Sequence, residues 1–70
     1  MIKYRIVQIG AGNVATHITK ALQVAGHSVV QVVGRTEANT RALAKEIGAA
    51  YTTTASNIDK TADLYIISVS

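Results

Sequence analysis

The sequence predicts an α/β fold built on a parallel sheet, and three observations carry that prediction. Apolar strand-like runs alternate with segments of helical period. The first run, Ile2 to Ile9, is rich in β-branched residues and stops at a glycine cluster, as a buried parallel strand does. The helical segments are long enough to serve as the right-handed crossovers that parallel neighbours require. The order is strand, helix, strand, helix, strand, turn, strand.

After the first strand, "GNVATHITKALQVAG" puts Val14, Ile18, Ala21, Leu22 and Ala25 on one helical face, with Thr16, Lys20 and Gln23 on the other. Gly26 is placed to end this helix in a left-handed conformation. Ser28 to Val33 forms a second apolar strand. Thr36 has the character of an N-cap, and Glu37 stands in the first turn, where the helix dipole favours an acid. Arg41, one turn on, is the expected partner of Glu37. Leu43, Ala44 and Ile47 supply the buried stripe of the second helix, which Gly48 ends. Ala49 to Thr52 makes a short third strand. "TASNIDKT" is a polar connection with one helical turn capped by Thr54, and Leu64 to Val69 is the fourth strand. Gln8 and Gln31 interrupt buried strands, and a bond between them across adjacent strands would satisfy both amides.

Composition narrows the function classes. Seventy residues allow one domain at most, and a chain of this size buries only about 60% of its unfolded surface. There is no cysteine, hence no disulfide framework and no thiolate metal site. No signal-like start is visible, and no apolar run nears the roughly 20 residues that span a membrane. A soluble cytoplasmic protein is expected. The net charge of +3 is spread along the chain, and the only aromatics are Tyr4, Tyr51 and Tyr65. Nucleic-acid binders concentrate basic residues and interleave aromatics, so a small anionic ligand fits better than nucleic acid. Met1 directly precedes the first strand, and the chain stops as an apolar strand finishes. Residues 1–70 are therefore expected to be the N-terminal piece of a longer protein.

"VQIGAGNVATHI" carries Gly10, Gly12 and Ala15 in a G-x-G-x-x-A spacing. Each position has a physical task. Gly10 permits the tight turn out of the strand. Gly12 lets a pyrophosphate approach the backbone, and Ala15 lets the helix pack on the sheet. The helix start then offers free N–H groups to phosphate. The motif follows a strand and opens a helix, which is its confirming context. The pattern predicts a Rossmann-type, doubly wound sheet of strand order 3-2-1-4, of which this chain is the N-terminal half.

The residue that binds a bare ribose is an acid about 20 residues beyond the loop. Here that place is taken by Gly34, Arg35 and Thr36. A carboxylate would repel a 2′-phosphate; Gly34 removes that repulsion and makes room. Arg35 provides a permanently charged fork, and Thr36 a hydroxyl and an N–H at a helix start. The expected ligand is NADP. The missing acid counts against plain NAD and against methyltransferases that use S-adenosylmethionine.

With "IGAGNVATHITKAL", "VVGRTEANTRALAKEIGA" and "ADLYIISVS" in place, the chain resembles the N-terminal Rossmann domain of NADP oxidoreductases related to the deazaflavin-dependent NADP reductase and pyrroline-5-carboxylate reductase. It is most similar to uncharacterised two-domain proteins that join such a domain to a helical C-terminal domain. The resemblance implies that Gly10, Ala11, Gly12, Asn13 and Val14 wrap the pyrophosphate. It also implies that Arg35 and Thr36 meet the 2′-phosphate, and that Val69 and Ser70 close over the cofactor. The family's substrate site lies mostly in the later domain, so no catalytic residue carries over. The implied activity is hydride transfer to or from a small organic substrate by the full-length protein, the fragment alone being inactive. The alternative is a non-catalytic NADP-sensing module. His17 and His27 are expected at the surface and in a loop, without metal-ligand spacing, and Asp59 and Asp63 in turns. A homo-oligomer is expected, formed through the free edge of the fourth strand, Leu64 to Val69, or through the helix-free sheet face beside it.

Overall fold

The computed structural model describes residues 2–68. They run through β1 (Arg5–Ile9), α1 (Asn13–Val24), β2 (Ser28–Val33), α2 (Glu37–Ile47), β3 (Ala50–Thr52), a 3₁₀ turn (Ala55–Asn57) and β4 (Leu64–Ile67). Every strand pair is parallel and the sheet order is β3-β2-β1-β4, the Rossmann-type arrangement that the sequence predicts. β1 begins at Arg5 rather than Ile2, because pairing with β2 starts at Arg5 opposite Ser28. Ahead of it, the Tyr4 N–H donates to His27 Nδ1 at 3.1 Å, and the two rings stack with centroids 5.3 Å apart. His27 is thus a structural residue at the end of the sheet where β1 begins.

The buried stripe of α1 is rotated from the expected one. Ala15 and Thr19 are buried and Ile18 and Leu22 half-buried, whereas Val14, Ala21 and Ala25 are exposed. Thr19 accounts for the rotation. Its hydroxyl donates to the Ala15 carbonyl at 2.8 Å, so a residue that reads as polar packs as an apolar one. The helix ends follow expectation. Gly26, at φ 98°, lets its own N–H reach the Gln23 carbonyl and the His27 N–H reach Leu22. Gly48, at φ 72°, ends α2 with the same pair of bonds, to Lys45 and from Ala49 to Ala44.

Both helices cover one face of the sheet. Ile6, Val29 and Val32 form one core there with Ala15, Leu43, Ala44 and Ile47. The β3–β4 connection covers part of the other face, and Gln31 clamps it. Gln31 Nε2 donates to the Asn57 carbonyl at 3.0 Å, and the Asp59 N–H donates to Gln31 Oε1 at 2.8 Å. The expected Gln8–Gln31 bond does not form. Gln31 is in register with Val7, and strand alternation sends the two amides to opposite faces.

Asp59 and Asp63 hold the lower edge of this connection. Asp63 accepts the Arg5 N–H at 2.8 Å, and Asp59 lies 3.3 Å from the Arg5 guanidinium. The Thr61 hydroxyl above all, then the Thr61 N–H, hold the Asp59 carboxyl below its ordinary value; burial opposes them, and the Arg5 charge adds a smaller pull downward. A depressed carboxyl stabilises the fold at pH above its unfolded value, and that contribution is lost as pH falls through the folded one. The Glu37–Arg41 pair is absent among the described residues; the Tyr51 hydroxyl donates to Glu37 instead, at 3.4 Å. β4 is an outer strand, and Leu64, Tyr65 and Ile67 are 42%, 43% and 68% exposed.

Candidate functional site

The strand order reverses at β1, with β2 and β3 on one side and β4 on the other. In open parallel sheets, ligands bind outside the carboxyl ends of the strands at such a reversal. A cleft of about 650 Å³ opens there, within the range of about 300–1,000 Å³ usual for small-molecule sites. Gly10, Ala11 and Gly12 form one wall, and Gly34, Arg35, Thr36, Asn39 and Thr40 a second. Thr53, Ala55 and Ile58 come from the connection, and Ile67 and Ser68 from the end of β4. Arg35 is the one charged side chain among these described lining residues, and no carboxylate is present.

The glycine loop is pinned on both sides. The Gly10 N–H donates to the Val33 carbonyl at 2.7 Å, and the Ser68 N–H donates to Ile9 at 2.9 Å. Gly10 has φ 115°, and a Cβ there would lie 2.5 Å from the Ser68 carbonyl oxygen. Close packing and backbone conformation both require glycine at this position. Gly12 differs. Its φ of −84° and ψ of −167° are extended backbone open to any residue, and it is exposed. Its exposed backbone leads directly into the first turn of α1. No side chain caps that turn and no acid stands in it, so its leading N–H groups face outward.

Gly34 turns out to serve a purpose that the sequence does not disclose. A Cβ on it would overlap Thr40 Oγ1 and come within 3.3 Å of the Ala11 Cβ. Thr40 is fully buried, and its hydroxyl donates to the Thr36 carbonyl at 2.6 Å. The vacant side of Gly34 therefore faces packed protein, and it is the close approach of α2 to the glycine loop that demands glycine. Thr36 occupies the N-cap position of α2 with extended backbone, as expected, but its hydroxyl makes no capping bond. That hydroxyl and the exposed Arg35 side chain stand at the cleft.

Of the residues singled out from sequence, Gly10, Ala11, Gly12, Gly34, Arg35 and Thr36 line this cleft together. Asn13 lines a smaller recess of about 280 Å³ between α1 and α2, beside Thr16, Asn39 and Glu46. Val14 is 48% exposed on the outer side of α1 and lines neither. Val69 and Ser70 lie outside the described residues. Sequence reasoning missed Asn39 and Thr40, which helical spacing from Thr36 could have found. It also missed Thr53, Ala55 and Ile58, which sit in or beside a connection without any period. No helix among the described residues is long and apolar enough to cross a membrane.

The donor set suits an anionic nucleotide: an uncapped helix start, backbone open at Gly12, and a single guanidinium without a competing acid. Comparison with known proteins points the same way. No curated protein matches the chain. The crystal structure of a candidate NADP oxidoreductase from Bacteroides fragilis superposes with a TM-score of 0.92 at 46% identity, over 97% of this chain. The chain spans 26% of the length of that protein. The family model described as NADP oxidoreductase, coenzyme F420-dependent, matches residues 5–70. With its fold, its glycine loop and nearly its whole length accounted for by that match, the chain belongs to the coenzyme F420-dependent NADP oxidoreductase family.

Proposed function

We propose that the cleft binds NADP(H) as the nucleotide-binding part of an oxidoreductase. The observation that carries this reading is Arg35, a lone guanidinium in a cleft without carboxylates, at the end of β2. In this reading the backbone of Gly10 to Val14 holds the pyrophosphate. Arg35 and Thr36 hold the 2′-phosphate beside Gly34, and Val69 and Ser70 close over the cofactor. Bound NADP(H) supplies the hydride, and the chain's own residues bind and orient it. The partner is a small organic substrate, the setting is the cytoplasm, and the substrate pocket belongs to a helical C-terminal domain of the full-length protein. The alternative is a non-catalytic NADP-sensing module, which the fold alone does not separate from an enzyme. A proton donor facing the nicotinamide in the C-terminal domain decides for the enzyme.

Titration of the full-length protein is expected to show tighter binding of NADPH than of NADH. Arg35→Ala is expected to weaken NADPH by about 1.5–3 kcal/mol, the scale of a hydrogen bond to a charged group, and to leave NADH unchanged. Equal wild-type affinity for the two nucleotides would overturn the assignment of Arg35.

We also propose that the 70-residue chain alone associates with a second copy through β4. Its outer edge offers unpaired backbone groups beside the exposed Leu64, Tyr65 and Ile67. Sedimentation velocity at rising concentration is expected to show a growing dimer population; a persistent monomer would rule the contact out.

A further inference from the structure

Gln8 is fully buried in the central strand β1, where an apolar residue is the ordinary occupant. Its surroundings fix which way the amide points. Nε2 lies 3.2 Å from the Ile9 carbonyl, which can only accept, and 2.9 Å from Ser68 Oγ. The other amide atom, Oε1, is buried and has no partner among the described residues. An orphaned buried acceptor is costly, and an apolar residue of the same shape would avoid that cost. Of the two polar contacts that distinguish Gln8 from such a residue, the one with Ser68 reaches 60 positions away in sequence.

Ser68 lines the cleft beside Gly10. Its N–H is engaged by the Ile9 carbonyl, and its Oγ accepts from Gln8. A hydroxyl whose oxygen is already accepting has one proton left to give. No acceptor for that proton is found among the described residues. Arg35 stands at the end of β2 and Ser68 at the end of β4, with the β1 glycine loop between them. A dinucleotide with its 2′-phosphate at Arg35 and its pyrophosphate over that loop extends its nicotinamide half toward Ser68.

Resting on the NADP(H) reading above, we propose that Ser68 donates a hydrogen bond to the nicotinamide-side phosphate or its ribose, and that Gln8 is the positioning residue that aims it. The isolated amide in the strand then has a purpose: it fills the acceptor side of Ser68 Oγ so that the proton faces the ligand.

The test uses the full-length protein, two ligands and three variants. NADPH carries both halves of the dinucleotide, whereas adenosine 2′,5′-bisphosphate lacks the nicotinamide half. Ser68→Ala is expected to weaken NADPH about 3- to 10-fold, as for one lost hydrogen bond, and to leave adenosine 2′,5′-bisphosphate unchanged. Gln8→Met keeps the length and burial of the side chain but removes both polar atoms. It is expected to melt no lower than wild type and to weaken NADPH alone. In the double variant, Gln8→Met is expected to add nothing to Ser68→Ala, because the two act as one unit. Unchanged NADPH affinity in both single variants overturns the proposal while the NADP(H) reading stands. So does equal weakening of both ligands with a lowered melting temperature, which marks a purely structural role. A wild type that binds neither ligand overturns both.

Discussion

Gly12→Val is expected to abolish dinucleotide binding while the domain stays folded. The two halves of that expectation have separate causes. Gly12 has extended backbone that valine adopts without strain, and it lies exposed at the surface. The added side chain is expected to stand where phosphate oxygens must approach the N–H groups of the first turn of α1. Losing two hydrogen bonds to a charged group, at about 1.5–3 kcal/mol each, weakens binding by more than about 100-fold. Calorimetric titration with NADPH beside a urea melt separates the two halves. Wild-type affinity in Gly12→Val would place the phosphates elsewhere.

Gly34→Asp is expected to destabilise the domain rather than convert it to NADH. From sequence alone the substitution restores the acid that binds a bare ribose. In the structure, its Cβ collides with the buried Thr40, whose hydroxyl is bonded to the Thr36 carbonyl. Overpacking of about 1–3 kcal/mol and a disturbed buried hydrogen bond of about 1 kcal/mol add to a loss of about 2–4 kcal/mol. A urea melt measures it, and the paired variant Gly34→Asp with Thr40→Ala is expected to recover part of the loss. A Gly34→Asp variant as stable as wild type and selective for NADH would refute the packing argument.

The fold was legible in the sequence to the level of strand order, because β-branched runs, glycine stops and helical spacing all agreed. Where reading and structure diverge, the cause is a polar group satisfied in a way that one-dimensional pattern does not encode. Thr19 rotates the buried face of α1 by bonding to its own helix. Gln8 and Gln31 look like a pair but occupy opposite faces, after the pairing of β1 with β2 shifts between Ile6 and Val7. The glycine loop and Arg35 could be located because their spacing follows from ligand chemistry. The connection wall of Thr53, Ala55 and Ile58 could not, because its position depends on the Gln31 clamp and on β4 docking.

The pairing of β1 with β4 has a consequence for how the domain assembles. The bonds from Arg5 to Asp63 and from Gln8 to Ser68 join residues 58 and 60 positions apart. β1 meets β2 after one helix, but it meets β4 only once most of the chain has been drawn into a ring. Chain closure over that distance carries the larger entropy loss, and contacts of long sequence separation form slowly. Nucleation is therefore expected in the β1–α1–β2 unit, with β4 docking last. The Ser68 side of the cleft is correspondingly expected to be the final part of the domain to become ordered during folding.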